Sequence, residues 1–226
     1  MNEYSFVTAF ASLVAAFFGA ICAFALNNTL EKKKSQNLNI ANANEALITL
    51  VQMNKTLDFI DISTIRNYRL DNMYWLLMPS QDLYANKQLN LNLRNLVFLI
   101  EYNEVKFLAK LAELEESFHK IVMIYERRHL LHEEYIAPVK KLIIEDMNSQ
   151  IKQANSESNY RLNFDLDKYI DGRKMKEFIE LTDGLVFLND IARTDFEDML
   201  QTLPKVLKIC FPQDNFVSLN PNTSPV

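Results

Sequence analysis

YSFVTAFASLVAAFFGAICAFAL, residues 4–26, is the stretch that decides the fold, because no charged side chain interrupts it. As an α-helix it would rise roughly 34 Å, at about 1.5 Å per residue, enough to cross a hydrocarbon layer of about 30 Å with some tilt. The segment therefore predicts a transmembrane anchor over residues 1–28.

A cleavable signal peptide is the alternative interpretation of this segment. Ala23-Phe24-Ala25 has the small-x-small pattern of a cleavage site. A signal peptide also begins with basic residues, whereas only Met1, Asn2 and Glu3 precede the apolar segment here. The missing basic start favours a retained anchor.

The charges that flank the segment predict its orientation. Lys32, Lys33 and Lys34 follow it, and no basic residue precedes it. Basic flanks stay on the cytoplasmic side of a membrane. We therefore expect a single-pass protein of the inner (cytoplasmic) membrane, with the N-terminus outside and the C-terminal domain in the cytoplasm. The three lysines are then placed to contact anionic lipid headgroups.

Small residues recur at every fourth position of the anchor, at Ala11, Ala15, Gly19 and Ala23. Such ladders let two helix backbones approach closely in lipid, where packing replaces the hydrophobic effect. The pattern predicts that the anchor packs against other copies of the chain, so that the protein is a homo-oligomer.

A juxtamembrane stalk helix is predicted over residues 29–64, a segment without glycine or proline. Its apolar residues have a heptad-like spacing: Ile40, Ala43, Leu47, Leu50 and Leu57. Two interpretations fit this seam. It is either a short coiled coil between copies or the buried face of a helix that packs on its own domain.

An all-α fold is predicted for the remainder, because three glycines and six prolines are too few for the turns of a sheet-rich fold. We expect a cytoplasmic bundle of four to five helices over residues 65–212 and a disordered tail over 213–226. The expected helical pieces are 65–78, 89–136 (closed by Pro138), 139–150 and 174–203 (interrupted near Asp183-Gly184 and ended by Pro204). Polar residues 150–163 predict a loop.

The composition excludes several classes of function. A net charge of -5 provides no broad basic field, so duplex DNA is not an expected partner. Cys22 and Cys210 are not expected to pair, which fits a reducing compartment. Gly-rich phosphate loops and Gly-x-Ser-x-Gly motifs do not occur in the sequence, and no cofactor is predicted.

All three histidines lie in ESFHKIVMIYERRHLLHEE, residues 116–134. Two Glu-x-x-His pairs in this stretch match the ligand spacing of di-iron bundles: Glu116 with His119, and Glu126 with His129. Both pairs lie on one predicted helix, roughly 15 Å and 80° apart, so they cannot share a dinuclear centre. We predict no metal site.

Arg127 and His132 are the ends of an Arg-x4-His sequence that encloses Arg128 and His129. A histidine can act as general acid or base near neutral pH, and an arginine can hold a scissile phosphate. The motif resembles the signature of HEPN domains, small helical bundles whose Arg-x4-6-His motif cleaves RNA at a dimer interface. The resemblance implies that Arg127 and His132 are catalytic and that RNA is a partner. The alternative is that all four residues form a solvated helix face beside neighbouring glutamates.

The layout of one N-terminal span followed by a helical domain with this motif resembles HEPN-like single-pass membrane accessory proteins of phage defence, which are encoded beside type VI CRISPR effectors. The resemblance covers the span and the Arg127/His132 pair. It implies a protein that oligomerises in the inner membrane, perturbs it and works with a cytoplasmic defence protein.

Three functions follow as hypotheses. The first is a membrane-anchored oligomeric effector that forms a pore or depolarises the membrane in phage defence. The second is a membrane-tethered HEPN-type enzyme that cleaves RNA. The third is a non-enzymatic scaffold that holds a cytoplasmic partner.

Overall fold

The computed structural model describes residues 3–69, 74–81, 83, 88–156, 168–212 and 216, without the side chains of residues 3–9, 11 and 153–156. Six α-helices occur in these ranges: α1 (Glu3–Ile60), α2 (Tyr74–Leu77), α3 (Phe98–Glu101), α4 (Val105–Leu131), α5 (Ala137–Ser156) and α6 (Gly172–Cys210). π-helical turns follow α1 (Asp61–Ile65) and α4 (His132–Ile136), and a 3-10 turn (Leu93–Leu96) precedes α3. All regular secondary structure of the described residues is helical and no strand occurs among them, which confirms that the fold is all-α.

The chain divides into two compact units, Met1–Glu45 (unit 1) and Ala46–Val226 (unit 2). Unit 1 contains the N-terminal part of α1, which is long and apolar. Unit 2 contains the rest of α1 and all of the other helices.

α4 and α6 pack against each other in an antiparallel arrangement at the centre of unit 2. The Lys110 ammonium lies 3.0 Å from an Asp198 carboxylate oxygen, and further along α4 the Arg128 side chain reaches Thr182. Midway, the rings of Phe118 and Phe196 make an edge contact, with their centroids 6.4 Å apart. The face of α4 between residues 107 and 125 that forms this contact is apolar and buried: Phe107, Leu111, Leu114, Phe118, Ile121, Val122 and Tyr125.

The part of the heptad-like seam of α1 that belongs to unit 2 is buried by the chain itself. Leu47, Leu50 and Leu57 are buried there without any second copy. Of the two interpretations, these positions therefore support a helix that packs on its own domain. Asn54, the polar residue in the seam, is partly buried.

Two of the predicted helix breaks, at Gly184 and Pro204, are wrong, whereas an element boundary does fall directly before Pro138. Pro138 lies in the first turn of α5, where a backbone N–H needs no helical acceptor. The preceding π-helical turn, in which the Ala137 N–H bonds the His132 carbonyl, accommodates the ring. α6 continues through Gly184 and Pro204, although a proline inside a helix costs about 3 kcal/mol. Buried Leu203 and Leu207 flank Pro204, and their packing outweighs that cost.

Other predicted boundaries also shift. The chain from 89 to 136 is not one helix, because Asn103 adopts a positive φ of 62° and turns the chain between α3 and α4. In the predicted piece 65–78, only Tyr74–Leu77 is α-helical among the described residues. The predicted loop 150–163 is helical to Ser156, and residues 157–163 lie outside the described ranges. Of the predicted disordered tail, all but Phe216 lies outside them as well.

Candidate functional site

The apolar part of unit 1 exposes its side chains. Val14 is partly buried, but seven other large apolar residues between 10 and 26 keep about half or more of their surface: Phe10, Leu13, Phe17, Phe18, Ile21, Phe24 and Leu26. A core helix of a soluble protein would instead bury such residues. In the part of the chain that the structure describes, this is the one helix long and apolar enough to cross a membrane.

The small-residue ladder lies on this exposed helix. Ala15, Gly19 and Ala23 are exposed, and the side chain of Ala11 lies outside the described residues. The space in which a Gly19 side chain would stand is open, with no heavy atom within 4 Å. Lys32, Lys33 and Lys34 follow on the same helix and are also exposed.

Arg128, in the Arg-His sequence of α4, is fully buried, with 1% of its surface exposed. Its Nε donates to the Thr182 hydroxyl at 2.9 Å. Its Nη atoms donate to the carbonyl oxygens of Pro79 at 3.1 Å, Met78 at 3.1 Å and Trp75 at 3.4 Å. The guanidinium carbon lies 4.8 Å from the centre of the Phe178 ring, a cation–π contact.

These contacts give Arg128 a structural role. The three carbonyl groups belong to the C-terminal end of α2 and the turn after it, where a helix leaves acceptors without internal donors. One guanidinium supplies those donors and ties α2 to α4 and α6. Burial lowers the pKa of Arg128 to about 10, because the charged form loses hydration.

Arg127 points to a different environment. Its Nε and Nη2 donate to one Glu177 carboxylate oxygen, at 2.8 and 2.6 Å, and both side chains are partly exposed. The hydrogen bonds from Arg127 lower the pKa of the Glu177 carboxyl, since they favour its charged form. The predicted phosphate-binding arginine is thus held by a carboxylate on α6.

His132 is buried in the π-helical turn after α4, with 8% of its surface exposed. Its Nδ1 lies 2.9 Å from a Glu133 carboxylate oxygen, and its ring is tilted against Phe178 with centroids 6.2 Å apart. Its Nε2 is buried without a hydrogen-bond partner. Burial lowers the pKa of His132, Glu133 opposes that shift, and the charges of Arg128 and Lys140 add to it.

The structure therefore separates the predicted catalytic residues by depth. Arg127 is exposed and paired with Glu177, whereas His132 is buried against Phe178. His129, which is partly buried, shares a hydrogen bond of 2.9 Å between its Nδ1 and the Ser80 hydroxyl. The alternative reading of all four residues as a solvated face is wrong for Arg128 and His132, because both are buried. A catalytic role for Arg127 and His132 stays a prediction.

Groups of three or more His, Cys, Asp or Glu side chains that could hold a metal ion do not occur among the described residues. The three histidines make other contacts: His129 with Ser80, His132 with Glu133 and Phe178, and His119 in an edge contact with the Phe118 ring.

A second polar cluster escaped the sequence reasoning. Asp61, buried in the π-helical turn after α1, accepts hydrogen bonds from Arg66 at 2.6 Å and from Arg193 at 2.8 Å. Arg193 also donates to Asp58 at 2.8 Å, which joins α1 to α6. An acidic residue at the end of an apolar helical face is the one signal in the sequence that could have indicated this cluster.

Comparisons of the chain with protein families, with curated proteins and with solved structures find no match. The residues and contacts above are therefore the basis for a function.

Proposed function

We propose that this chain is a single-pass protein of the inner membrane, whose N-terminal helix self-associates in the bilayer and acts on it, with the helical remainder in the cytoplasm. In this assignment residues 29–64 form the stalk, and residues 65–212 form a bundle of four to five helices. The role in phage defence, and the choice between a pore and depolarisation, rest on the resemblance described under the sequence.

One observation carries the proposal: the seven large apolar side chains named above, between residues 10 and 26, expose about half or more of their surface. Each Leu, Ile or Phe near the centre of a membrane helix favours insertion by about 0.3–0.6 kcal/mol, so the seven exposed ones favour it by roughly 2–4 kcal/mol. In water the exposure of the same side chains would be unfavourable, and a monomeric soluble protein rarely presents so long an apolar surface.

The anchor is tested by placing charge at its centre. Leu13→Lys with Phe17→Lys removes two favourable residues and adds two lysines that each cost about 3 kcal/mol, so insertion becomes unfavourable. We expect the double variant to be extracted from membranes by alkaline carbonate, while the unaltered chain resists extraction. The matched control is Leu38→Lys with Ile48→Lys, two exposed apolar positions of α1 beyond the span. Equal extraction of both variants would refute the anchor.

Self-association is supported by the exposure of Ala15, Gly19 and Ala23 and by the open space at Gly19. A leucine at position 19 would hold a partner helix away, because close approach needs small residues. We expect Gly19→Leu to lower the oligomeric mass of the full chain in mild detergent, and Phe18→Leu, on the neighbouring large residue, to leave it unchanged. An unchanged mass for Gly19→Leu would contradict the proposed interface.

Action on the membrane is tested separately, by dye leakage from liposomes or by depolarisation. The full chain is expected to cause leakage, and Gly19→Leu to reduce it in step with the loss of oligomers. Leakage that is absent from the full chain, or equal in a version without residues 1–28, would refute the proposed action of the N-terminal helix on the membrane.

A further inference from the structure

One end of unit 2 presents exposed apolar side chains on a well-packed base. This end, which we name the tip, consists of residues 93–106 and 203–212. Its exposed apolar residues keep from 41% (Tyr102) to 65% (Ile209) of their surface: Val97, Ile100, Tyr102, Val105 and Ile209.

The tip is held together by specific contacts. The Phe211 ring, at the end of α6, lies 5.4 Å from the Phe98 ring and 5.8 Å from the Tyr102 ring, measured between centroids. The left-handed residue Asn103 turns the chain, and the Glu104 N–H closes the turn on the Leu99 carbonyl at 2.9 Å. The apolar side chains outside this base are therefore presented on a fixed surface.

The two segments of the tip also carry basic side chains. Four of them are exposed: Arg94, Lys106, Lys205 and Lys208. The two tip segments contain only two acidic residues, Glu101 and Glu104, in a chain whose net charge is -5. The tip is thus a locally positive surface on an acidic protein.

A second exposed apolar pair on unit 2, Phe187 and Ile191, provides a contrast. Residues 180–194 around it contain three acidic residues and one basic residue. An anionic surface would attract the tip and repel this part of α6, although both expose large apolar side chains.

We propose that the tip docks on the anionic surface of the bilayer, with Ile100, Val105 and Ile209 entering the boundary between headgroups and acyl chains. Tyrosine favours this boundary, which suits Tyr102, and the lysines lie at the level of the lipid phosphates. The proposal rests on the membrane anchor, because tethering converts a weak surface contact into an intramolecular one with a high effective concentration.

The test uses the full chain in vesicles, with a fluorescent label at residue 100 (Ile100→Cys) in a Cys22→Ser, Cys210→Ala background. The matched control carries the label at residue 187 (Phe187→Cys). In vesicles that contain phosphatidylglycerol, we expect a lipid-borne quencher to quench the label at 100 and aqueous iodide to quench the label at 187. In vesicles of phosphatidylcholine alone, the label at 100 should become accessible to iodide.

Removal of positive charge tests the contribution of the basic residues of the tip. Each basic residue near an anionic surface strengthens binding about fivefold, so Lys106→Gln with Lys208→Gln should lower the ratio of docked to undocked tips about 25-fold. The matched control is Lys141→Gln with Lys176→Gln, two exposed lysines outside the tip that pair with acidic neighbours.

Flotation separates the two proposals. A chain that does not float with vesicles overturns the anchor and the tip together. A floated chain whose label at 100 is quenched by iodide in every vesicle overturns the tip alone. A label at 100 that is shielded from both quenchers also overturns it, because a protein surface, either a second copy or the C-terminal residues, then covers the tip.

Discussion

Replacement of Arg128 by methionine tests the structural role that its contacts assign to it. The substitution keeps an unbranched side chain over Phe178 but removes four hydrogen bonds, to Thr182 and to the three carbonyl groups of the α2 turn. Hydrogen bonds from a charged donor contribute about 1.5 kcal/mol each at the low end, roughly 6 kcal/mol in total.

The loss is partly offset, because methionine has no charge to bury. The fall in the pKa of Arg128 from its ordinary value to about 10 corresponds to a cost of roughly 3 kcal/mol for holding the charged form inside the protein. The net expectation for Arg128→Met is therefore a loss of about 3 kcal/mol in the free energy of unfolding. For a domain of this size, that lowers Tm by about 6–12 °C.

The assay is thermal unfolding of the full chain in detergent, followed by the fluorescence of Trp75. This residue is the single tryptophan of the chain, and its ring lies 6.5 Å from the Phe178 ring beneath Arg128. Arg127→Met is the matched control. Its pair with Glu177 is exposed, so Tm should stay close to that of the unaltered chain.

Two outcomes would refute this reasoning. The first is a shift for Arg128→Met that is no larger than the shift for Arg127→Met, which would mean that the buried contacts add nothing. The second is full stability in Arg128→Lys, because one ammonium group cannot reach the four acceptors that the guanidinium fork spans.

Three further predictions concern the same unit. The pKa of His132 is lower in the folded chain than its unfolded value of 6.5. The contribution of neutral His132 to stability is therefore complete above pH 6.5 and is lost as the pH falls through the lowered pKa. Tm measured against pH should show this fall in the unaltered chain and in His119→Gln, but less of it in His132→Gln; equal falls in all three would exclude His132 as the cause. Asp61→Asn removes a buried carboxylate that pairs with Arg66 and Arg193, and it should lower the free energy of unfolding by about 3 kcal/mol in denaturant titrations. Asp198→Asn, in an exposed pair with Lys110, should change the free energy of unfolding little. Similar losses in the two variants would contradict the argument from burial. If Arg127 and His132 cleave RNA, Arg127→Ala should abolish cleavage while the chain stays folded, and unchanged cleavage eliminates that role.

Much of the helical pattern could be predicted from the sequence, because the spacing of apolar residues along a helix indicates which side chains are buried. The face of α4 from Phe107 to Tyr125 repeats every three or four residues, and the structure buries it. The breaks were mispredicted at Gly184 and Pro204, because propensity is a local preference of about 1–3 kcal/mol that packing of the flanking residues overrides.

The Arg-His sequence shows where local reasoning stops. Arg127 and Arg128 are neighbours of the same type, yet one is paired with Glu177 at the surface and the other is buried between α2 and α6. A helix turns about 100° per residue, so adjacent side chains face different surroundings. Which of them faces inward depends on the partner helix, which lies some 50 residues away in the chain.

Residues 4–26 are sufficient, by composition and length, to specify a helix that can cross a membrane, because the partition of a side chain into lipid depends on its own chemistry. Tertiary structure decided the rest: that Arg128 holds α2 in place, that Asp61 joins the end of α1 to α6, and that apolar residues from two distant segments meet at one basic tip. Each of these depends on contacts between residues far apart in the chain, and such contacts exist only after the helices have packed.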